Sequence, residues 1–143
     1  MTKSRPPSPA ILPTILIVED DQLLKLLTID IVEEAGFATL EASNADEAIA
    51  ILAAARSDIA MLLTDVNMPG SMDGLKLAHT VRARWPYIKI VVVSARGDIS
   101  AADMPVDGRF FRKPYPTGVM ISAIHSLMGA ANPGPGARVY LDV

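Results

Sequence analysis

The chain has 143 residues, of which 50% are hydrophobic and 20% are charged, a composition typical of a single globular domain. Thirteen Lys and Arg against 16 Asp and Glu give a formal net charge of −3, which argues against nucleic-acid binding through a basic surface. Because the sequence contains no Cys, it excludes disulfide scaffolds, Cys-ligated zinc, iron–sulfur clusters and thiol catalysis.

The N-terminal residues 1–13 are rich in proline and are predicted to form a disordered or extended segment. They lack the uninterrupted apolar stretch and the small-residue cleavage site of a secretion signal. No apolar run in the chain approaches the ~20 residues that span a bilayer. The sequence therefore favours a cytoplasmic protein that does not associate with a membrane.

From Thr14 onward, short runs of β-branched residues alternate with segments of helical periodicity. Strands joined by helices run parallel, and near-continuous apolar strands are typical of a sheet that is covered on both faces. The sequence thus predicts a doubly wound α/β domain over residues 14–128, followed by a Pro/Gly linker and a short C-terminal tail over 129–143. The five predicted strands are 15–18, 38–41, 59–64, 89–93 and 109–112.

Apolar side chains at helical spacing predict which face of each helix is buried. In the first helix they are Leu24, Leu27, Ile31 and Ala35, and Gly36 follows where a C-terminal cap belongs. The third and last helices repeat this pattern with, respectively, Leu75, Ala78, Val81 and Trp85, and then Val119 or Met120, Ile124 and Met128.

Polar side chains follow four of the five predicted strands. The carboxyl ends of parallel strands meet at one edge of the sheet, where ligands bind in open α/β folds. Carboxylates without histidine favour Mg²⁺, and a lysine with a hydroxyl suits a phosphoryl group. Taken singly, each residue also has a structural explanation, such as a charge at a helix N-terminus or a turn residue. The strand-end residues are Glu19, Asp20 and Asp21, then Thr64 and Asp65, then Ser94, and then Lys113.

Four motifs at these strand ends resemble those of the response-regulator receiver domain of bacterial two-component signalling. They are Ile-Leu-Ile-Val-Glu-Asp-Asp at 15–21, Leu-Thr-Asp-Val-Asn-Met-Pro at 63–69, Val-Val-Ser-Ala at 92–95 and Phe-Phe-Arg-Lys-Pro-Tyr at 110–115. The resemblance covers about residues 14–128, with the motifs in the family's order. It implies a flavodoxin-like three-layer (β/α)5 sandwich with strand order 2-1-3-4-5.

The resemblance also implies a phosphoacceptor and a metal site. Asp65 would attack the phosphorus of a phosphohistidine on a partner kinase. Asp20 and Asp65 would ligate Mg²⁺ directly, Glu19 would hold it through water, and the backbone carbonyl of Asn67 would complete the protein's ligands.

Three further roles follow from the same resemblance. Lys113 would pair with Asp65 or its phosphoryl oxygens, and the Ser94 hydroxyl would bond one of those oxygens after phosphorylation. Phe110 matches the family's switch aromatic, and the peptide bond between Lys113 and Pro114 is expected to be cis.

The sequence departs from the family in two places and leaves one register open. The loop 68–74 is one residue longer than usual, and the stretch between Ser94 and Lys113 is about three residues short. This shortening reduces the fourth helix to 98–104 and puts the usual output face in question. The acidic pair is either Glu19 with Asp20 or Asp20 with Asp21, and the first is favoured because it places the following leucines inside the helix.

These observations predict a stand-alone phosphorylation switch, monomeric or weakly dimeric. Its expected partners are a sensor histidine kinase or a phosphotransfer protein, and a separate, unidentified target protein; nucleic acid and membranes are not among them. It is not expected to be an enzyme beyond its own aspartyl phosphorylation and dephosphorylation. The alternative is a Mg²⁺-dependent phosphohydrolase with an aspartyl nucleophile. Enzymes that resemble the haloacid-dehalogenase group carry Asp-x-Asp, however, and Asp65-Val66-Asn67 lacks the second acid.

Overall fold

The computed structural model describes residues 13–54 and 58–130. The five predicted strands are all present in it, and their ends differ from the predicted ones by at most one residue. The strands are β1 (Thr14–Val18), β2 (Ala38–Ala42), β3 (Ile59–Asp65), β4 (Lys89–Ser94) and β5 (Arg109–Arg112). The helices are α1 (Gln22–Glu34), α2 (Ala45–Ala53), α3 (Gly74–Arg84) and α4 (Thr117–Ala130).

The strands form one parallel sheet in the order β2-β1-β3-β4-β5, which confirms the predicted topology. Alternate side chains of the central strands enter two separate cores. Leu16 and Leu62 pack on the side of α2 and α3, whereas Ile17 and Leu63 pack on the side of α1 and α4. The sheet is therefore covered on both faces, and its strand ends remain open along one edge.

Short polar side chains begin the first three helices. Asp21, Asn44 and Asp73 each accept a backbone N–H bond of 2.9 Å from the residue three positions later. These bonds satisfy donors that have no partner within the helix. Gly36 follows α1 with a φ of +100°, a conformation that favours glycine, as the predicted cap requires.

The predicted buried face of α1 is wrong in part. Leu24 and Leu27 are 41% and 51% exposed, whereas Lys25 and Val32 face the sheet. The Lys25 stem is buried, and its ammonium donates a 2.8 Å hydrogen bond to the Ser43 hydroxyl. Because leucines lie on adjacent faces of this helix, their periodicity could not identify which face is buried.

The buried faces of the other two helices are nearly as predicted. In α3, Ala78 and Val81 are buried, while Leu75 and Trp85 are only half-buried. In α4, Met120 is buried and Val119 is 48% exposed, which decides between the two.

The helix α4 runs to residue 130, so residues 129 and 130 belong to it and not to the predicted linker. The predicted segments 1–12 and 131–143 lie outside the described residues. None of the described helices has the length and apolar character needed to cross a bilayer.

The predicted fourth helix at 98–104 is present only as a 3₁₀ turn, Ala101–Asp103. Two side chains of α3 hold this connection. His79 Nε2 lies 2.8 Å from the Asp103 carbonyl oxygen, and Arg82 Nε donates to the Val106 carbonyl at 3.0 Å. Arg82 also donates to two carbonyls of the α3–β4 turn, those of Pro86 at 2.8 Å and Ile88 at 3.0 Å.

Candidate functional site

The carboxyl ends of β1, β3 and β5 bring three carboxylates and an ammonium together. Carboxylate oxygens of Glu19, Asp20 and Asp65 all lie within 4.8 Å of one another. Lys113 Nζ lies 3.3 Å from Asp65 Oδ1 and 3.4 Å from Glu19 Oε1. Glu19 and Asp65 are buried, at 5% and 9% exposure, while Asp20 is exposed. Four residues from three strand ends thus share one small volume.

The neighbouring acid, Asp21, serves the helix and not this cluster. Its carboxylate accepts the Leu24 N–H, and its own N–H donates to Glu19 Oε2 at 3.1 Å. The acidic pair that lies beside Asp65 is therefore Glu19 with Asp20. The leucines that follow Asp21 belong to α1 but are exposed, so their position does not discriminate between the two registers of the acidic pair.

Burial and the repulsion between neighbouring carboxylates disfavour the charged forms of the acids in this cluster. Desolvation raises the pKa of Asp65 against the opposing effect of Lys113, and burial likewise raises the pKa of Glu19. Burial by itself lowers the pKa of Lys113, but the adjacent carboxylates outweigh it and raise that pKa, so the ammonium stays charged. Three carboxylates lie beside one ammonium, and a bound divalent cation would reduce the repulsion between the carboxylates.

The donor set fits a hard cation. All three candidate ligands are carboxylates, and neither histidine of the chain is among them. Oxygen-only sites suit Mg²⁺ or Ca²⁺, and a site with few protein ligands suits Mg²⁺, which keeps several of its waters. The residues present are therefore compatible with the predicted magnesium site.

The start of α3 lies directly against the backbone of Asp65, a contact that the sequence analysis missed. The Gly74 N–H donates to the Val66 carbonyl at 2.9 Å. A Cβ on Gly74 would lie 1.8 Å from the Asp65 carbonyl oxygen, so only glycine fits without a shift of the backbone. The only sequence signal is a glycine directly after the Asp73 cap.

The remaining predicted residues lie at the end of β4, after β3 and within β5. Ser94, at the end of β4, is fully buried, and its hydroxyl accepts the Arg96 N–H at 3.0 Å. Phe110 is half-buried against the core beside α3, and Asn67 is exposed two residues after Asp65. The peptide bond between Lys113 and Pro114 is cis, as predicted.

Known proteins share this sequence pattern and this fold. The sequence profile of the response regulator receiver domain matches residues 15–125. The response regulator protein FleR of Pseudomonas aeruginosa is 29% identical over 134 residues, a match that covers 86% of this chain and 27% of FleR. The chain thus spans about a quarter of the length of that relative.

Solved structures agree with the sequence match. A response regulator receiver protein from Sinorhizobium medicae superposes with a TM-score of 0.77 at 27% identity, covering 83% of this chain and 96% of that one. The response regulator TrrA of Thermotoga maritima, solved in complex with Mg²⁺-BeF, gives a TM-score of 0.70 at 22% identity, covering 81% and 99%. Together with the match over residues 15–125, these findings show that the chain belongs to the response regulator receiver domain family.

Proposed function

We propose that Asp65 accepts a phosphoryl group from a phosphohistidine of a partner protein, and that the chain acts as a phosphorylation switch. The observation that carries this proposal is the position of the Asp65 carboxylate, 3.3 Å from Lys113 Nζ and beside Glu19 and Asp20. In the transfer, a carboxylate oxygen of Asp65 forms a bond to phosphorus, and the bond between phosphorus and the donor imidazole nitrogen breaks. A related receiver, TrrA, was solved with Mg²⁺-BeF.

The proposed metal is Mg²⁺, held by Asp20, Asp65 and the backbone carbonyl of Asn67, with Glu19 acting through water. Without a cation, the phosphoryl dianion would approach carboxylates of the same sign. Bound Mg²⁺ would supply charge neutralisation between these carboxylates and the phosphoryl oxygens. Glu19 and Asp65, whose pKa values burial raises, must lose their protons for the metal to bind.

Two cationic or hydroxyl groups complete the proposed chemistry. Lys113 keeps its charge beside the carboxylates and can pair with a phosphoryl oxygen at the position it already occupies. The hydroxyl of Ser94 can donate to another phosphoryl oxygen, and Phe110 repacks when Ser94 moves. The proposed donor is a sensor histidine kinase or a phosphotransfer protein in the cytoplasm, and the target is a separate protein.

Intact mass spectrometry after incubation with Mg²⁺ and acetyl phosphate tests the proposal. We expect the chain to gain the mass of one phosphoryl group, and Asp65→Asn to gain none. Asp107→Asn is the matched control, because Asp107 is exposed and lies outside the carboxylate cluster. Its φ of 64° is one that asparagine tolerates. Labelling of Asp65→Asn at the rate of the unchanged chain would contradict the proposal, and turnover of a generic phosphomonoester would favour the phosphohydrolase.

A further inference from the structure

Lys25 of α1 is a buried lysine that the proposed chemistry does not use. Its side chain is 5% exposed, and its ammonium donates a 2.8 Å hydrogen bond to the Ser43 hydroxyl. The Glu41 carboxylate lies 3.6 Å away but is 55% exposed, so solvent screens this ion pair. Burial of an ammonium is costly, and an apolar side chain would fill the same space at a lower cost. The free energy of folding therefore gives little reason for a lysine at this position.

Lys25 closes a ring of hydrogen bonds that includes the Glu19 carboxylate. The Lys25 N–H donates to the Asp21 carbonyl at 2.9 Å, and the Asp21 N–H donates to Glu19 Oε2 at 3.1 Å. The Glu19 N–H donates in turn to the Ala42 carbonyl at 3.0 Å. The next residue, Ser43, accepts the bond from the Lys25 ammonium. The ring thus runs from the backbone of α1 through the acidic strand end to the end of β2, and returns to α1 through the lysine side chain.

We propose that Lys25 is a positioning residue, which fixes the orientation of the Glu19 carboxylate by joining α1 to the turn after β2. One oxygen of this carboxylate accepts the Asp21 N–H, and the other lies 3.4 Å from Lys113 Nζ. Because Asp21 begins α1 and the Glu19 N–H pairs with the end of β2, a shift of α1 away from β2 would move the carboxylate relative to Lys113. The consequence for Mg²⁺ rests on the proposed metal site, whereas the effect of Lys25 on Glu19 does not.

Two effects of Lys25 on a bound cation have opposite signs. A positive charge near the site repels Mg²⁺, so removal of the ammonium would strengthen Mg²⁺ binding by its charge alone. A positioning role predicts the reverse, because a Glu19 carboxylate that is free to rotate holds a metal-bound water less well. The sign of the change in Mg²⁺ affinity therefore separates positioning from a simple effect of charge.

Hydrogen exchange in chelator tests the ring without a metal. Lys25→Met keeps the apolar length of the side chain and removes its donors. We expect it to speed exchange of the Glu19 and Asp21 amides, relative to the amides of β4, about two- to tenfold, as for one lost hydrogen bond. Equal acceleration at β4, or none at Glu19 and Asp21, would overturn the proposal.

Variants of Ser43 remove the same bond from its other side. Ser43→Ala is expected to speed exchange of the same two amides, whereas Ser43→Thr keeps a hydroxyl and is expected to leave them unchanged. This pair decides the question even where Lys25→Met does not fold. Lys25→Met combined with Ser43→Ala is expected to have no larger effect than Lys25→Met alone, because both remove one bond. Additive effects would contradict the proposal that Lys25 acts through Ser43.

Mg²⁺ titration, followed by the amide signals of residues 19–21 and 65–67, tests the consequence for the metal. We expect Lys25→Met to weaken Mg²⁺ binding about two- to tenfold. Lys89→Met is the matched control, because it removes the same charge at the start of β4, at the opposite edge of the sheet. It is expected to leave the affinity unchanged. Stronger binding in Lys25→Met would show that only the charge of Lys25 matters and would overturn the positioning role.

Failure of this inference and failure of the proposed metal site give different results. If Mg²⁺ shifts no signal of the unchanged chain, the metal site fails, and exchange in chelator still decides whether Lys25 positions Glu19. If the unchanged chain binds Mg²⁺ and Lys25→Met binds it equally well, the metal site stands and the positioning role is overturned.

Discussion

Gly74 and Asp65 are in contact through their backbones: a Cβ on Gly74 would lie 1.8 Å from the Asp65 carbonyl oxygen. The first residue of α3 therefore supports the strand end that carries the candidate phosphoacceptor. The Thr64 hydroxyl donates to the same carbonyl oxygen at 2.9 Å, so the Asp65 backbone is held from two sides. A displacement of α3 would move the Asp65 carboxylate relative to Lys113.

We expect Gly74→Ala to lower the free energy of unfolding by about 3 kcal/mol, because the backbone of Asp65 or of α3 must shift to admit the methyl group. Gly118→Ala is the control, since a Cβ on Gly118 meets nothing within 4 Å and alanine favours the helix by up to ~1 kcal/mol. Urea unfolding measures both. Equal stability of the two variants would show that α3 does not rest on Asp65.

In the absence of divalent cations, the free energy of unfolding is expected to fall as the pH rises above about 4. Burial raises the pKa values of Asp65 and Glu19 above their ordinary values near 4, so the native state holds protons that the unfolded state has released. That stabilisation is complete below the ordinary values and is lost as the pH passes the raised ones. Asp65→Asn should flatten this slope and be more stable at pH 7. Thermal unfolding in chelator at several pH values measures the effect, and an unchanged slope in Asp65→Asn would contradict it.

Addition of Mg²⁺ is expected to shift the NMR amide signals of residues 19–21 and 65–67. Asp20→Asn should weaken Mg²⁺ binding about tenfold or more, because it removes a direct charged ligand. Asp21→Asn is the control, since asparagine caps a helix as well as aspartate and Asp21 lies outside the cluster. A larger loss of Mg²⁺ affinity in Asp21→Asn than in Asp20→Asn would indicate that the acidic pair is Asp20 with Asp21.

We expect Arg82→Ala to speed hydrogen exchange at residues 105–108 and to lower the free energy of unfolding by about 1–3 kcal/mol. The guanidinium of Arg82 donates three hydrogen bonds to backbone carbonyls, one of them in the connection before β5. Arg84→Ala is the control, because Arg84 is exposed and its guanidinium stacks on Trp85. Similar exchange in the two variants would mean that Arg82 does not hold this connection.

Phosphorylation of Asp65 is expected to speed exchange of the Arg96 amide and to change exchange over residues 95–110 more than elsewhere outside the site. The Arg96 N–H now donates to the Ser94 hydroxyl, and it loses that acceptor when Ser94 moves toward a phosphoryl oxygen. Hydrogen exchange with and without acetyl phosphate measures this change. Equal exchange in the two states would indicate a rigid phosphate carrier without a switch.

The strands and the site could be predicted because their signals are local. β1, β3 and β4 are short apolar runs that end at or directly before a polar residue, and parallel strand ends meet at one edge. Periodicity did not predict the buried face of α1, because leucines lie on several faces of this helix. The buried position next to β2 is occupied by Lys25. Its ammonium bonds Ser43, a partner 18 residues away that no helical pattern could reveal.

Other features depend on contacts that are distant in the sequence. The Arg82 bond to the Val106 carbonyl spans 24 residues and joins α3 to the connection before β5. The requirement for glycine at position 74 likewise arises from the packing of α3 on Asp65, not from the local turn. Such contacts follow from the fold and cannot be read from composition or spacing.

The hydrogen bond from the Lys113 N–H to the Ser94 carbonyl, at 2.9 Å, determines where insertions and deletions can be tolerated. Deletion of one residue within β5 would draw Lys113 back by about 3.3 Å and turn its side chain to the other face of the sheet. Loss of residues between β4 and β5 leaves that bond in place, because the pairing of the two strands resumes at Val91 and Arg109. Homologous chains can therefore vary the length of this connection, and with it the surface offered to a partner, while the ammonium stays beside Asp65.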